Sequence, residues 1–504
     1  MKPVLLIVID ALSSRVVHPA MQAGRLSTLK ELGERGHLQW NCTSVFPSIT
    51  PAATASIITG CYPGDHGVTG AYFYDRQDRR VFYFGADVPI IWREGFDKFF
   101  EDFVVGLNET RLQCPTLFDW LSRHGRTAAS LNYLVFHGPR RHRVQTPWLM
   151  RLWPGVPFRE DIEGPEILFL GDMVREGWEG AGNVSTRSGM FHHYGFEDHN
   201  TADFLAHLAA SERMPDLTVA YFPQNDFQSH KLGPANAIET LAYVDHRLQE
   251  FFAAQGGMKS FLDRFAVVVT GDHSQSDVLA DADEAGIQLR KVLHEFDVAD
   301  VGPQWSSDAD LLICPNLRSA QIYWRGEDQA THDRIVECLL GEPRIDQVMW
   351  REAASSGDVY CVRTAHRGEL RYWASDDGNA DDYGNRWRWN GSLDTIDARA
   401  GAGRLSFGDY PNAMERIANV FDRRVTGDLW CTARLGYEFC VWTSEVHAGG
   451  GSHSSLHRDD STSPLITAGL PEHVALPSCP RTIDVARLCC ECLEVSWPGR
   501  TDEI

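Results

Sequence analysis

Three short apolar runs set the frame of the chain. Val4 to Ile9 is continuous and closes on Asp10, Leu217 to Phe222 is followed four residues later by Asp226, and Phe265 to Thr270 runs into Gly271-Asp272-His273. Runs of this length, without polar alternation, predict strands covered on both faces of a parallel sheet. Between them, helical spacing of apolar residues predicts helices over Ser27 to Gly36, Cys114 to Gly125, Thr201 to Ser211 and Ala237 to Ala254. Strand and helix in alternation predict an α/β fold, doubly wound, with a mostly parallel central sheet and helices on both faces. Ligands in such sheets sit outside the carboxyl ends of the strands, so the acids that close these runs converge on one edge.

From residue 281 to 434 the pattern changes. Ala320 to Trp324, Gln347 to Arg351 and Val359 to Arg363 read as strands and Gln329 to Leu340 as an amphipathic helix. The segment Ser375 to Gly401, rich in Asp, Gly, Asn and Arg, reads as loop. The expected organisation is a catalytic core formed by 1–280 and 435–504, with a smaller α+β insertion, or cap, at 281–434.

Composition narrows the function classes. The 504 residues are 43% hydrophobic and 23% charged, which suits a large soluble globular chain. A formal charge of −22 repels a nucleic-acid duplex or an anionic membrane unless a basic patch intervenes, so neither is an expected partner. No apolar stretch approaches the roughly 20 residues needed to span a bilayer. Asp10 interrupts the N-terminal apolar run and no small-residue cleavage site follows, so it reads as a strand and not a signal peptide. The expected location is cytoplasmic, with the 12 cysteines as thiols. The oligomeric state is left open.

The chemistry gathers at the strand ends. Ser48 to Gly60 has a helix-start signature, with Thr50 as the expected N-cap, Pro51 at the first helical position and Gly60 at the end. A hydroxyl there lies in the positive end of the helix field, which favours an alkoxide and a phosphate oxygen; the plainer alternative is an ordinary capping threonine. Asp226 and His230 stand four apart, a spacing that puts both on one helix face, and Asp272 and His273 are adjacent. His453 lies in a Gly-rich turn, with His457 as its alternative. With Asp10 this makes three carboxylates and three imidazoles, a donor set suited to two divalent ions held by oxygen and nitrogen. Two such ions can clamp the oxygens of an in-line phosphoryl displacement.

Taken in order, these motifs resemble the alkaline phosphatase superfamily, and most closely its type I phosphodiesterase/nucleotide pyrophosphatase family. The residues that carry the resemblance are Val8-Ile9-Asp10, Phe46 to Thr50, Thr59-Gly60 with Pro63 and His66-Gly67, Asp226 to His230 with Gly233-Pro234, Gly271-Asp272-His273, and Gly451-Ser452-His453 before Pro464-Leu465. The resemblance implies a phosphoric ester hydrolase acting on a small-molecule phosphoester. Thr50 would be the covalent nucleophile and a metal ligand. Asp10, Asp272 and His273 would complete its ion, and Asp226, His230 and His453 would hold a second. It implies two divalent ions per chain, zinc ahead of manganese, and two in-line steps through a phosphothreonine. One departure is visible: where nucleotide pyrophosphatases carry an asparagine beyond the His-Gly pair, this chain has Ala71. That weakens nucleotide specificity and leaves the metal residues untouched, so a phosphomonoesterase or phosphonate hydrolase on the same scaffold is the alternative; a separate, non-enzyme alternative is a metal-stabilised binding protein without turnover, against which the presence of all seven residues counts. A sulfatase fits less well, because position 50 is threonine.

Other features have plainer readings. His66 is expected to be structural. Arg140 to Arg143, with Trp148 and Trp153, could rim an anion site but reads better as a solvated loop. Arg386 to Trp389 alternates with strand period, so its tryptophans share one face that could stack on a nucleobase but reads better as covering the core. Cys489, Cys490 and Cys492 fall on a C-terminal helix and lack the paired spacing of a zinc site, so they read as buried thiols.

Overall fold

The computed structural model describes residues 1–84, 101–144, 161–177, 184–211, 213–300, 302, 304–306, 308–354, 357–421, 424–440 and 446–498. Trp148 and Trp153 lie outside the described residues. The three apolar runs form neighbouring strands: Val4–Ile9 pairs in parallel with Leu217–Phe222 on one side and Ala266–Thr270 on the other. All three are fully buried. Ala128–Leu131 and Ile167–Leu170 extend the parallel set beyond Leu217–Phe222. Antiparallel strands close both edges of this eight-stranded sheet, Thr462–Ala468 and His37–Thr43 on one side and Val174–Glu176 on the other.

Helices cover both faces, as the alternation requires. Leu5, Ile7 and Ile9 pack into one apolar cluster with Leu29, Leu32, Leu241 and Phe252, while Val4, Leu6 and Val8 pack into another with Ile57, Leu121 and Cys489. Successive residues of one strand therefore serve opposite layers, which is why the run contains no polar position. The expected helices appear as Ser27–Arg35, Leu117–Arg123, Asp198–Ala210 and Ile238–Ala254.

A second sheet of nine strands draws on residues between Leu311 and Ala433. Its neighbours are antiparallel except for the pairing of Gly368–Asp381 with Arg404–Phe407, and the helix Gln329–Leu340 packs on Ile345–Ala354. Here one expectation is corrected. The segment 375–401 is not loop: it finishes the strand Gly368–Asp381, forms the strand Arg386–Gly391 and ends in the strand Ala398–Gly401. Its polar residues occupy a solvated face, which an antiparallel sheet tolerates. Arg388 pairs with Asp377 there, while Trp387 is buried with its Nε1–H donated to Asp381 Oδ2 at 2.8 Å. The turn itself is an Asp-centred one, Asp381 Oδ1 accepting from the amides of Tyr383 at 2.9 Å and Asn385 at 2.8 Å.

Candidate active site

Each acid stands where the chain leaves the central sheet. Asp10 follows Val4–Ile9, Asp272 lies two residues past Ala266–Thr270, and Asp226 sits in the first turn of the helix Gln224–Leu232, which begins two residues after Leu217–Phe222. The turn after Asp10 places Ala11 in the left-handed region at φ 53°. The Asn225 side chain holds it there by donating to the carbonyls of Asp10 at 2.8 Å and Ala11 at 3.0 Å. The Ala11 amide in turn donates to Asp272 Oδ1 at 3.2 Å, so the two acids share one turn.

His230 is one helical turn from Asp226, with Nε2 3.4 Å from Asp226 Oδ2. Nε2 of His453 is 3.7 Å from Asp226 Oδ1. Nε2 of His273 lies 3.5 Å from Asp10 Oδ1, 3.6 Å from Asp272 Oδ2 and 3.0 Å from the Thr50 hydroxyl. All seven residues singled out from the sequence therefore meet at one edge. His273 stands between two donor groups, Asp10 with Asp272 and Asp226 with His453, each of which closes to within 4.8 Å when His273 is counted in it. The imidazoles of His273 and His453 stack at 3.8 Å between centroids.

Thr50 sits one place away from its expected role. Ile49 keeps extended dihedrals (φ −132°, ψ 142°) and takes the N-cap position, so Thr50 is the first residue of the helix Thr50–Thr59. Its hydroxyl caps no amide and faces His273 instead. Gly60 ends this helix in the left-handed region at φ 62°. The Thr50 carbonyl accepts from the Thr54 hydroxyl at 2.6 Å.

The donor set fits divalent cations on three observations. First, every imidazole gives its Nδ1–H to a main-chain carbonyl: His230 to Gly451 at 2.8 Å, His453 to Ser48 at 2.8 Å and His273 to Ser274 at 3.1 Å. That bond fixes the tautomer and leaves each Nε2 lone pair toward the acids, the usual arrangement behind a metal-bound histidine. Second, Oδ1 of Asp10 and Oδ2 of Asp272 are buried and accept no hydrogen bond among the described residues. Third, burial and the nearby carboxylates of Asp272 and Asp226 push Asp10 well above the ordinary carboxylate range, and burial also raises Asp272. Burial lowers His230 and His453, which keeps both imidazoles neutral. Crowded buried carboxylates beside neutral imidazoles leave an unbalanced negative field that a cation offsets.

Other contributors carried no sequence signal. The Tyr221 hydroxyl donates to Asp10 Oδ2, and the Gln275 amide donates to Asp226 Oδ1. Arg318 comes from the tight turn between Leu311–Asn316 and Ser319–Trp324 of the second sheet. Fully buried, it donates to Ser276 O at 3.0 Å and Asp277 O at 2.8 Å, while its own amide donates to His453 O at 3.0 Å. Of the features given plainer readings, His66 is fully buried between Ser56 and Val68. Arg140, Arg141 and Arg143 lie exposed on a short strand, where Arg140 and Arg141 approach the carboxylates of Asp161, Glu163 and Glu166. Cys489, Cys490 and Cys492 are buried on the helix Asp484–Cys492, and burial raises all three thiols.

An open, mostly parallel α/β sheet thus carries a hydroxyl, three acids and three imidazoles at its carboxyl edge, where such sheets place their ligands. The chain belongs to the type I phosphodiesterase/nucleotide pyrophosphatase family, whose profile matches residues 4–455, and it is a phosphoric ester hydrolase of that metal-dependent family. Solved structures share the fold at low identity. Phosphonoacetate hydrolase from Sinorhizobium meliloti 1021, in complex with phosphonoformate, is 16% identical with a TM-score of 0.58, over 97% of this chain and 95% of that one. Murine ectonucleotide pyrophosphatase/phosphodiesterase 5 is 12% identical with a TM-score of 0.57, over 98% of this chain and 96% of that one. An inactive variant of the same murine protein, in complex with AMP, has a TM-score of 0.56 at 12% identity, over the same shares of the two chains, 98% and 96%. No helix among the described residues is long and apolar enough to cross a membrane.

Proposed function

We propose that this chain hydrolyses small phosphoric diesters or nucleotide pyrophosphates through a covalent phosphothreonine on Thr50. The observation that carries the reading is the Thr50 hydroxyl, 3.0 Å from His273 Nε2 at the start of a helix and beside the orphaned oxygens of Asp10 and Asp272. Asp10, Thr50, Asp272 and His273 would hold one divalent ion and Asp226, His230 and His453 the other, zinc being the first choice and manganese the second. When bound, such ions supply Lewis acidity and neutralise charge on the phosphoryl oxygens.

The residues of the chain divide the remaining work. Thr50 Oγ1 gives up its proton and attacks phosphorus in line, the bond to the leaving oxygen breaks, and the departing alcohol or phosphate takes a proton. Water then attacks the phosphothreonine from the vacated side and Thr50 Oγ1 leaves, which restores the enzyme. The helix that begins at Thr50 favours the alkoxide in both steps, because the hydroxyl lies at the positive end of the helix dipole. Tyr221 and Gln275 hold Asp10 and Asp226 in place throughout. We further propose that residues 281–434, which carry the second sheet, form a cap over the leaving-group side. The twelve free cysteines support a cytoplasmic location.

Ala71 favours a second reading. It packs against Ile49 and Ala52 and its amide is already donated to Asn316 Oδ1 at 2.7 Å, so the position offers only a methyl group near the nucleophile. A phosphomonoesterase or phosphonate hydrolase loses least by this. One experiment separates the readings: metal content with parallel turnover of bis-(p-nitrophenyl) phosphate and p-nitrophenyl phosphate, before and after chelation, for wild type and Thr50→Ala. The leading reading expects about two ions per chain, a diester preference, and about a 10⁴-fold loss of turnover in Thr50→Ala with metal retained. A monoester preference promotes the second reading. Unchanged turnover in Thr50→Ala removes the covalent mechanism.

A further inference from the structure

The Asp226 side of the site is braced by a buried acid that supplies no metal donor. Glu438, 2% exposed, lies on the short strand Glu438–Cys440, which pairs with Gly286–Gln288 outside both large sheets. Its Oε1 accepts from His447 Nδ1 at 2.8 Å and from the Ser452 hydroxyl at 3.3 Å, and its Oε2 accepts from the His447 amide at 3.0 Å. One carboxylate thus pins both ends of the turn 447–452.

That turn holds the His230 ring and leads directly into His453, whose own Nδ1–H is held by Ser48 O. The ring of His447 lies against His230 with 4.2 Å between centroids. Gly451 O receives the Nδ1–H of His230, and Ser452 immediately precedes His453. The turn sits so close to the helix Gln224–Leu232 that a Cβ on Gly450 would lie 1.9 Å from the carbonyl oxygen of His230, and one on Gly451 would lie 2.8 Å from that of Ser229. Glycine alone allows this approach, and Glu438 anchors the turn from one side while Gly451–Ser452 pairs with Ser276–Asp277 on the other.

We propose that Glu438, acting through His447 and Ser452, is a positioning residue for the cation site formed by Asp226, His230 and His453. The inference rests on the two-metal reading above and adds to it an asymmetry: loosening Glu438 empties that site and spares the one formed by Asp10, Asp272 and His273. The reason is geometric. Among the described residues no hydrogen bond joins Glu438 to Asp10, Asp272 or His273, whereas the turn it fixes accepts the Nδ1–H of His230 and leads directly into His453.

The test is a titration of the metal-free full chain with Zn²⁺ against a chromophoric chelator, read as two separate affinities. Glu438→Gln and His447→Ala are each expected to weaken one ion by about 10- to 100-fold and to leave the other within about twofold of wild type. His447 is half-buried, so its replacement keeps the test open if Glu438→Gln does not fold. Asp245→Asn is the structural control: Asp245 is buried remote from the site, where it accepts from the amides of Thr28 and Leu29. It is expected to lower Tm without changing the ratio of the two affinities. If both variants keep both ions at wild-type affinity, or lose both equally, Glu438 has no selective role and the proposal fails. A wild-type chain that takes up fewer than two ions overturns the two-metal reading and this inference with it.

Discussion

His66 offers a perturbation whose size follows from the structure. It is fully buried; its Nδ1 accepts from the Val68 amide at 3.2 Å, which forces the proton onto Nε2 and makes it the donor to Ser56 Oγ at 2.9 Å. Ser56 lies on the helix that begins at Thr50, so this imidazole anchors the proposed nucleophile's helix from behind. Burial lowers His66 from 6.5 to about 3. The folded state therefore binds fewer protons than the unfolded state between those values, and stability is lost as pH falls through that window. Integrated from pH 7 to pH 4.5, this single group removes about 2.5 kcal/mol. His66→Gln keeps a polar side chain but cannot titrate. Guanidinium unfolding of wild type and variant at matched pH, in one metal-containing buffer, isolates the difference, because every other titrating group is common to both. The variant is expected to be the less stable at pH 7, through lost packing and hydrogen bonding, with the gap shrinking by about 2.5 kcal/mol at pH 4.5. A gap that stays constant across that range would falsify the assignment of His66 as a buried neutral imidazole.

Asp198 runs in the opposite direction. Buried beside Gln224, whose amide donates to it at 3.1 Å, it is raised by burial from 3.8 to about 7. It stays protonated in the folded state while the unfolded chain ionises, so stability declines as pH rises from about 4 to 7. Asp198→Asn should stabilise the protein by up to about 4 kcal/mol at pH 8 and by little at pH 4, measured as the shift in denaturation midpoint. Tyr221→Phe removes the hydroxyl that holds Asp10. The zinc titration should then show about a 10- to 100-fold loss at the Asp10 site, and an unchanged affinity would deny Tyr221 that role.

What could be read from the sequence and what could not divide along a physical line. Asp10, Asp226 and Asp272 were legible because parallel strands end in acids only where something beyond the sheet uses them. The spacing of Asp226 and His230 announced one helix face. Thr50 was found, but one place off its cap: the signature Ser48 to Gly60 contains several hydroxyl residues, and only the dihedrals of Ile49 decide where the helix begins. Tyr221 was hidden inside an apolar run that its ring belongs to, since a tyrosine in a buried strand reads as core until its hydroxyl is seen against Asp10. Arg318 gave no signal because it acts on residues far away in the chain, and Glu438 gave none because its partners His447 and Ser452 carry no recognisable spacing with it. The strands within 375–401 were missed because a solvated antiparallel face has the composition of a loop.

The turn that carries Arg318 has a consequence for how the molecule comes into being. The loops bearing Asp272, His273 and His453 are laced together by main-chain and guanidinium bonds from a residue of the other sheet. Arg318 lies more than forty positions downstream of Asp272, so the loops at the edge of the first sheet reach their final shape only with the second sheet docked. Deleting the second sheet to obtain a minimal catalyst would leave a well-formed barrier of strands with its reactive groups unaligned.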